Sequence, residues 1–188
     1  MNSLIEQLNN KHQSDVNRFR NQNYEWLLRF EPHYTHFVTL TFHPSKINAL
    51  RNELTTNGSN DRFTLLELQK KSFRCFLNRL RKNLYGCSWS QHEQKILCIP
   101  ILEGLFQSGK VHYHCLFGIE LDRHSNFKNA VEDAWSKAPL SGTQIDVQNY
   151  NNIGVVSYIT KQTKYLNRES IDWDNVLIST RLDSLIAE

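Results

Sequence analysis

The chain has 188 residues, 39% of them hydrophobic and 22% charged, and a formal net charge of +3. These values are typical of one globular domain, and the mildly basic balance is compatible with a nucleic-acid partner without requiring one. No apolar run approaches the roughly 18 residues of a membrane span, and the first ten residues are too polar for a secretory signal. We therefore expect a cytoplasmic protein with no membrane partner.

The N-terminal part predicts helix followed by strand. Residues 3–30 contain few turn residues and a loose helical spacing of apolar side chains, which predicts one or two helices. Residues 36–42 alternate at period two and are rich in β-branched and aromatic side chains, which predicts a strand. Thr39 and Thr41 share one face of that strand. His43 would join them only if the strand continued past the proline that follows it.

A loop and a long amphipathic helix come next. The polar stretch at residues 55–61 predicts the loop, and apolar residues at helical spacing predict a helix over residues 61–85. The apolar stripe consists of Leu66, Phe73, Phe76, Leu77, Leu80 and Leu84. The other faces carry six cations, Lys70, Lys71, Arg74, Arg79, Arg81 and Lys82. These cations indicate either a solvated helix face or a phosphate-binding surface.

The most informative segment is a pair of strands predicted within residues 96–118. An apolar run leads through a turn into a second strand, in which His112 and His114 share one face. Their α-carbons would lie roughly 6.5–7 Å apart, so both imidazoles can reach one ion. If the two runs pair as a hairpin, Glu103 lies opposite His112 or within one residue of it. The three side chains then form a metal site with an open position.

The last third of the chain predicts a helix, a strand and a helix, at residues 126–137, 143–148 and 152–166. The resulting order of strand, helix, strand, strand, helix, strand predicts an α+β fold. Its centre is a split βαβ (ferredoxin/RRM-like) antiparallel sheet with flanking helices. We expect a single domain over residues 1–188, made of N-terminal helices (1–32), a core (36–166) and a weakly patterned tail (167–188).

The last predicted helix contributes a possible nucleophile. Tyr158, Lys161 and Tyr165 are spaced so that they share one helical face. A free tyrosine has a pKa of about 10, so a neighbouring cation is needed to ionise it at low cost and to stabilise charge on phosphorus. Tyrosine and lysine beside a metal ion are suited to phosphoryl transfer from DNA or RNA.

Three motifs in this order resemble those of the HUH endonuclease superfamily, and within it the rolling-circle replication initiators (Rep proteins) of plasmids and phages. The first is the apolar and threonine-rich strand at residues 37–42. The second is His112-Tyr113-His114, preceded by Glu103, and the third is Tyr158-Ile159-Thr160-Lys161. The region that carries the resemblance spans residues 36–165.

The resemblance implies sequence-specific nicking and joining of a single-stranded DNA origin. Tyr158 would attack a phosphodiester, leaving a free 3′-hydroxyl and a covalent 5′-phosphotyrosine, with Lys161 assisting. The three ligands would hold Mn²⁺ or Mg²⁺. The residues expected to contact DNA are Thr39, Thr41, His43, Lys164 and Tyr165, with structural packing as the alternative for Tyr165.

Residues 104–110 have the glycine and lysine spacing of a phosphate-binding loop, but Val111 stands where serine or threonine must contact Mg²⁺. We therefore expect no nucleotide cofactor, and a host or partner helicase would have to unwind the DNA. Three other functions remain open. They are a single-tyrosine HUH transposase, a metal-dependent hydrolase that needs no tyrosine, and a non-catalytic nucleic-acid-binding module.

Overall fold

The computed structural model describes residues 14–15, 17–18, 20–56, 62–87, 95–104, 111–161 and 170–178. The described helices are α1 (residues 20–28), α2 (Pro44–Thr56), α3 (Arg62–Tyr85), α4 (His124–Ser136) and α5 (Gly154–Lys161). The described strands are β1 (His36–Phe42), β2 (Leu97–Glu103), β3 (His112–Gly118) and β4 (Ser141–Asn149). No helix in this part of the chain is both long enough and apolar enough to cross a bilayer.

The four strands form one antiparallel sheet in the order β2-β3-β1-β4. Since β3 lies between β1 and β2, those two strands run parallel to each other without touching, as in a split βαβ unit. The predicted α+β fold with an antiparallel central sheet is confirmed. The predicted starts and ends of α4 and β4, and the start of α5, lie within two residues of the observed ones. Residues 162–166 of the last predicted helix fall outside the described residues.

One face of the sheet, which we call the core face, packs against α3 and α4. Its strand residues are Val38, Leu40, Phe42, Cys98, Leu102, Tyr113, Cys115 and Phe117. Phe73 and Phe76 of α3 and Trp135 of α4 are fully buried against them. Five of the six residues predicted for the apolar stripe of α3 are buried, and Leu66 is partly buried against the same cluster. The stripe predicted from helical spacing is therefore confirmed.

The opposite face, which we call the site face, carries Phe37, Thr39 and Thr41 on β1 and the two histidines on β3. Part of it is covered by α1, α5 and the segment 170–178. The covering side chains Leu27, Val156, Ile159 and Ile171 form a second buried cluster with Leu97, Ile99, Ile101 and Leu116. Apart from its last residue, strand β2 is apolar along its whole length because it is covered on both faces.

Helix α2 was not predicted, and residues 55–56 of the predicted loop belong to it. Proline is unfavourable within a strand but suits the first turn of a helix. Pro44 therefore both stops β1 and is the first residue of α2. Ile47 and Leu50, one turn apart, pack against the core cluster. The strand therefore does not continue through His43, whose carbonyl accepts a hydrogen bond from the Ile47 backbone N–H.

The described part of the C-terminal tail fastens to the sheet through a buried carboxyl group. The side chain of Asp172 accepts hydrogen bonds from the Tyr113 hydroxyl and the Asn175 amide, both at 2.7 Å. The pKa of Tyr113 is raised well above its ordinary value, mainly by burial and to a smaller extent by repulsion from Asp172. The hydroxyl therefore remains a donor. Tyr113 lies between the two histidines of β3, so this contact also fixes the strand that carries them.

We predict that Tyr113→Phe lowers the free energy of unfolding by roughly 2 kcal/mol, because it removes a donor from a buried carboxyl group. The matched control is Tyr34→Phe, since Tyr34 is also buried but donates to a neutral acceptor, the Leu27 carbonyl, at 2.8 Å. That control should lose only about 1 kcal/mol. Urea unfolding monitored by circular dichroism measures both values. Equal losses would contradict a special role for the Asp172 contact.

Candidate metal centre

The candidate site lies at one end of β2 and β3, where the cross-strand register aligns its residues. Glu103 is directly opposite His112, which is one of the registers that the hairpin prediction allowed. On the other side of β3, Thr41 is opposite His112 and Thr39 is opposite His114. One carboxylate, two imidazoles and two hydroxyls are therefore grouped on the site face.

The three predicted ligands converge on one point. Oε2 of Glu103 lies 3.4 Å from Nε2 of His112 and 3.0 Å from Nε2 of His114, and the two Nε2 atoms are 3.1 Å apart. Atoms bound to one ion at about 2.1 Å lie about 3.0 Å apart in an octahedron and about 3.4 Å apart in a tetrahedron. The observed distances therefore fit three ligands of a single ion. Within the described residues, this is the group of acidic, histidine and cysteine side chains that could hold a metal.

The protonation of His114 and the burial of Glu103 also suit a cation. The pKa of His114 is lowered to about 4, mainly by burial and to a smaller extent by electrostatic repulsion from His112. The ring is therefore neutral at pH 7, which leaves a lone pair available for a metal. Oε2 of Glu103 is buried and accepts no hydrogen bond from the described residues. A buried carboxylate oxygen without a donor is costly, and a cation between it and the two imidazoles would remove that cost.

The His114 ring is held on several sides. Its plane stacks on Phe37, with 5.3 Å between centroids and 20° between planes. Its Nδ1 atom lies 3.0 Å from the hydroxyl oxygen of Thr39. The Phe37 contact was not anticipated. Period-two alternation places Phe37 and Thr39 on one face of β1, but nothing in the local sequence shows which strand lies beside that face.

Helix α5 places Tyr158 next to the ligands. Val156 and Ile159 are buried in the second core cluster, and this fixes the orientation of the helix on the sheet. The Tyr158 ring meets His114 edge to face, at 5.8 Å between centroids, and 48% of its surface stays exposed. A partly exposed phenol thus adjoins a possible metal centre.

The other predicted site residues are less closely connected to the ligands. Lys161 is the last residue of α5, one turn after Tyr158, and its side chain lies outside the described part of the chain. Lys164 and Tyr165 also fall outside it. Thr41 donates its hydroxyl to the Gln144 carbonyl on β4 at 2.9 Å. His43 follows the end of β1 and precedes α2, as described above.

The cations of α3 lie on the far side of the sheet from the ligands, because α3 packs on the core face. Lys70 lies 3.0 Å from the carboxylate of Asp174, and Arg74 donates to Asn175 at 3.0 Å. These two cations hold the segment 170–178 against α3. The sequence predicted either a solvated helix face or a phosphate-binding surface, and this structural role is neither of them. The spacing of the cations along the chain contains no signal for it.

Comparison of the chain with protein-family models, with curated proteins and with solved structures finds no match in any of the three. The chemistry of this site is therefore inferred from its own residues.

We predict that the protein, freed of metal with a chelator, binds one Mn²⁺ ion in a calorimetric titration. Glu103→Gln should weaken binding by roughly a hundredfold or more, because it removes the ligand charge and keeps the shape. At a hundredfold excess over Kd, bound Mn²⁺ should raise the free energy of unfolding by about 2.7 kcal/mol.

The matched control for this titration is Asp146→Asn, which removes the same charge from the position opposite Thr39 on β4. Its affinity should change by less than about threefold, since an exposed charge outside the ligand group is screened by solvent. Equal losses in the two variants would indicate diffuse attraction of cations instead of a built site.

Proposed function

We propose that the protein is a metal-dependent HUH endonuclease that nicks and joins single-stranded DNA and so initiates rolling-circle replication. The observation that carries the proposal is the contact between the partly exposed Tyr158 ring and His114, one of three converging metal ligands. A nucleophile, a Lewis acid and a lysine one helical turn away are the parts that phosphodiester transfer to tyrosine requires. The order of the three motifs along the chain supports the same assignment.

In this proposal the Tyr158 phenol attacks the phosphorus of a phosphodiester and releases its proton to solvent. The bond from phosphorus to the 3′-oxygen breaks, its electron pair stays on that oxygen, and protonation gives a free 3′-hydroxyl. The 5′ end remains attached as a phosphotyrosine ester. Because one phosphorus–oxygen bond replaces another, attack by a 3′-hydroxyl reverses the step and rejoins the strand.

Glu103, His112 and His114 would hold the ion, with Mn²⁺ favoured by the imidazole ligands and Mg²⁺ by its abundance. When bound, a divalent cation polarises a phosphate oxygen and neutralises charge as it develops on phosphorus. The chain's own residues position the reactants. The burial of Val156 and Ile159 fixes the helix that carries Tyr158, and Lys161 is spaced to neutralise charge beside it.

Single-stranded DNA would reach the ligands across the uncovered part of the site face. Thr39 and Thr41 are partly exposed there, and Asp146 and Gln148 of β4 are exposed beside them. Contacts from His43, Lys164 and Tyr165 to DNA remain predictions from the sequence.

A host or partner helicase would supply unwinding. A single-tyrosine transposase would use the same groups and differs only in the DNA it joins.

A metal-dependent hydrolase is the second candidate, and the composition of the ligand set supports it. One glutamate and two histidines suit Zn²⁺, with a bound water as nucleophile, as well as they suit Mn²⁺ or Mg²⁺. Such an enzyme would form no adduct and would not need Tyr158. A non-catalytic binding module is supported less well, because such sheets stack bases on exposed aromatic rings, whereas Phe37 is partly buried against His114.

We predict that a pool of random single-stranded oligonucleotides, incubated with the protein and Mn²⁺, yields a covalent protein–DNA adduct on a denaturing gel. Oligonucleotides labelled at the 3′ end should label the protein, and those labelled at the 5′ end should give shortened free DNA. Tyr158→Phe should abolish both products, because it removes only the attacking oxygen. His114→Ala should abolish them by removing a ligand.

Tyr150→Phe is the matched control, since that hydroxyl contacts Glu31 instead of the site. Its adduct yield should equal that of the unaltered protein. Cleavage without adduct that survives Tyr158→Phe would shift the assignment to the hydrolase. Binding of the pool without cleavage under Mn²⁺, Mg²⁺ or Zn²⁺ would favour the non-catalytic module.

A further inference from the structure

We infer that Thr39 is a positioning residue of the metal centre, in addition to any contact it makes with DNA. Its hydroxyl accepts a hydrogen bond from Nδ1 of His114 and so holds Nε2, with its lone pair, towards Glu103 and His112. This inference rests on the metal centre of the proposed function and extends it to a residue that is not a ligand.

The first step concerns the proton. A neutral imidazole has one N–H donor and one acceptor nitrogen, so a ring that coordinates a metal through Nε2 must carry its hydrogen on Nδ1. Nδ1 then needs an acceptor, and the Thr39 oxygen lies 3.0 Å from it. Hydrogen bonds of this kind orient metal-binding histidines and fix their protonation.

The second step concerns the orientation of the ring. Stacking on Phe37 and the edge contact with Tyr158 restrict how the His114 plane tilts. The ring can also be rotated by half a turn about the Cβ–Cγ bond, which exchanges Nδ1 with Cδ2 and Nε2 with Cε1. Neither contact distinguishes between these two orientations. A hydrogen-bonding partner at Nδ1 makes that distinction, from the side of the ring that faces away from the other two ligands. The Thr39 hydroxyl therefore favours the ring orientation in which a nitrogen faces those ligands.

The third step concerns the backbone that places the hydroxyl. Thr39 is directly opposite His114 in the pairing of β1 with β3, so two neighbouring strands set the distance between them. Val38 and Leu40, on either side of Thr39, are fully buried in the core face. A position held in this way can impose an orientation on its neighbour, unlike one on an exposed loop.

The same strand provides a matched control. Thr41 is two residues further along the site face, but its hydroxyl donates to the backbone carbonyl of Gln144. Thr39→Val and Thr41→Val make the same chemical change at neighbouring positions. The first removes the hydroxyl beside His114 Nδ1, and the second removes a hydrogen bond to a backbone carbonyl. Thr39→Ser keeps the hydroxyl and loses only a methyl group.

The test is calorimetric titration of Mn²⁺ into the metal-free 188-residue chain and these three variants. We expect Thr39→Val to weaken Mn²⁺ binding by about 10- to 100-fold, with Thr39→Ser within about threefold of the unaltered protein. Thr41→Val, which keeps the contact at His114 Nδ1, should weaken Mn²⁺ binding clearly less than Thr39→Val does. Thermal unfolding of the metal-free Thr39→Val protein should give a single cooperative transition, which shows that the variant folds.

Unchanged Mn²⁺ affinity in Thr39→Val would overturn this inference and leave the proposed function intact. Equal losses in Thr39→Val and Thr39→Ser would overturn it too, because packing of the methyl group would then be the cause. Absence of Mn²⁺ binding by the unaltered protein would overturn the metal centre and this inference together. A hydroxyl-dependent affinity in a protein that forms no DNA adduct would support the inference and overturn only the nicking function.

Discussion

The candidate site depends on the register of β3 between its two neighbours. Alternation along β3 sends His112 and His114 to the site face and buries Tyr113, Cys115 and Phe117 in the core face. A slip of one residue would remove those three side chains from the core face and bury the histidines there among apolar groups. Burying each large side chain is worth about 1.5–3 kcal/mol, so the core holds the register with several kcal/mol. The packing of one face therefore aligns the ligands on the other.

The site also carries a local cost that a bound cation would relieve. His114 is buried and uncharged at pH 7, and Oε2 of Glu103 is buried with no donor among the described residues. A buried oxygen without a donor typically costs about 1–3 kcal/mol. A cation bound beside Oε2 of Glu103 would remove that cost and so stabilise the folded chain. Functional centres are commonly built in this way, with the surrounding fold supplying the missing stability.

Two segments distant in sequence complete the surroundings of β3. Helix α5 buries Val156 and Ile159, and this burial presents Tyr158 to His114. The segment 170–178 follows the edge of β2, and its Asp172 accepts a hydrogen bond from Tyr113, the residue between the two histidines. The strand that carries the ligands is thus fixed through its core face as well as through its neighbours, and the candidate nucleophile is fixed by apolar packing.

The sequence by itself determined the candidate ligand set and most elements, because the signals for them are local. Period-two alternation predicted β1, and a turn between two apolar runs predicted Glu103 opposite His112 or within one residue of it. Only the tertiary structure decided that β1 lies beside β3. Thr39 and His114 are 75 residues apart, and no local pattern specifies that pairing. The same limit applies to α2, whose proline resembles a simple strand stop, and to Lys70 and Arg74, which bind a distant segment. Contacts between segments so far apart in sequence depend on how the whole chain packs. The register of the paired strands is set only when both faces of the sheet are covered, so local sequence patterns do not predict these contacts.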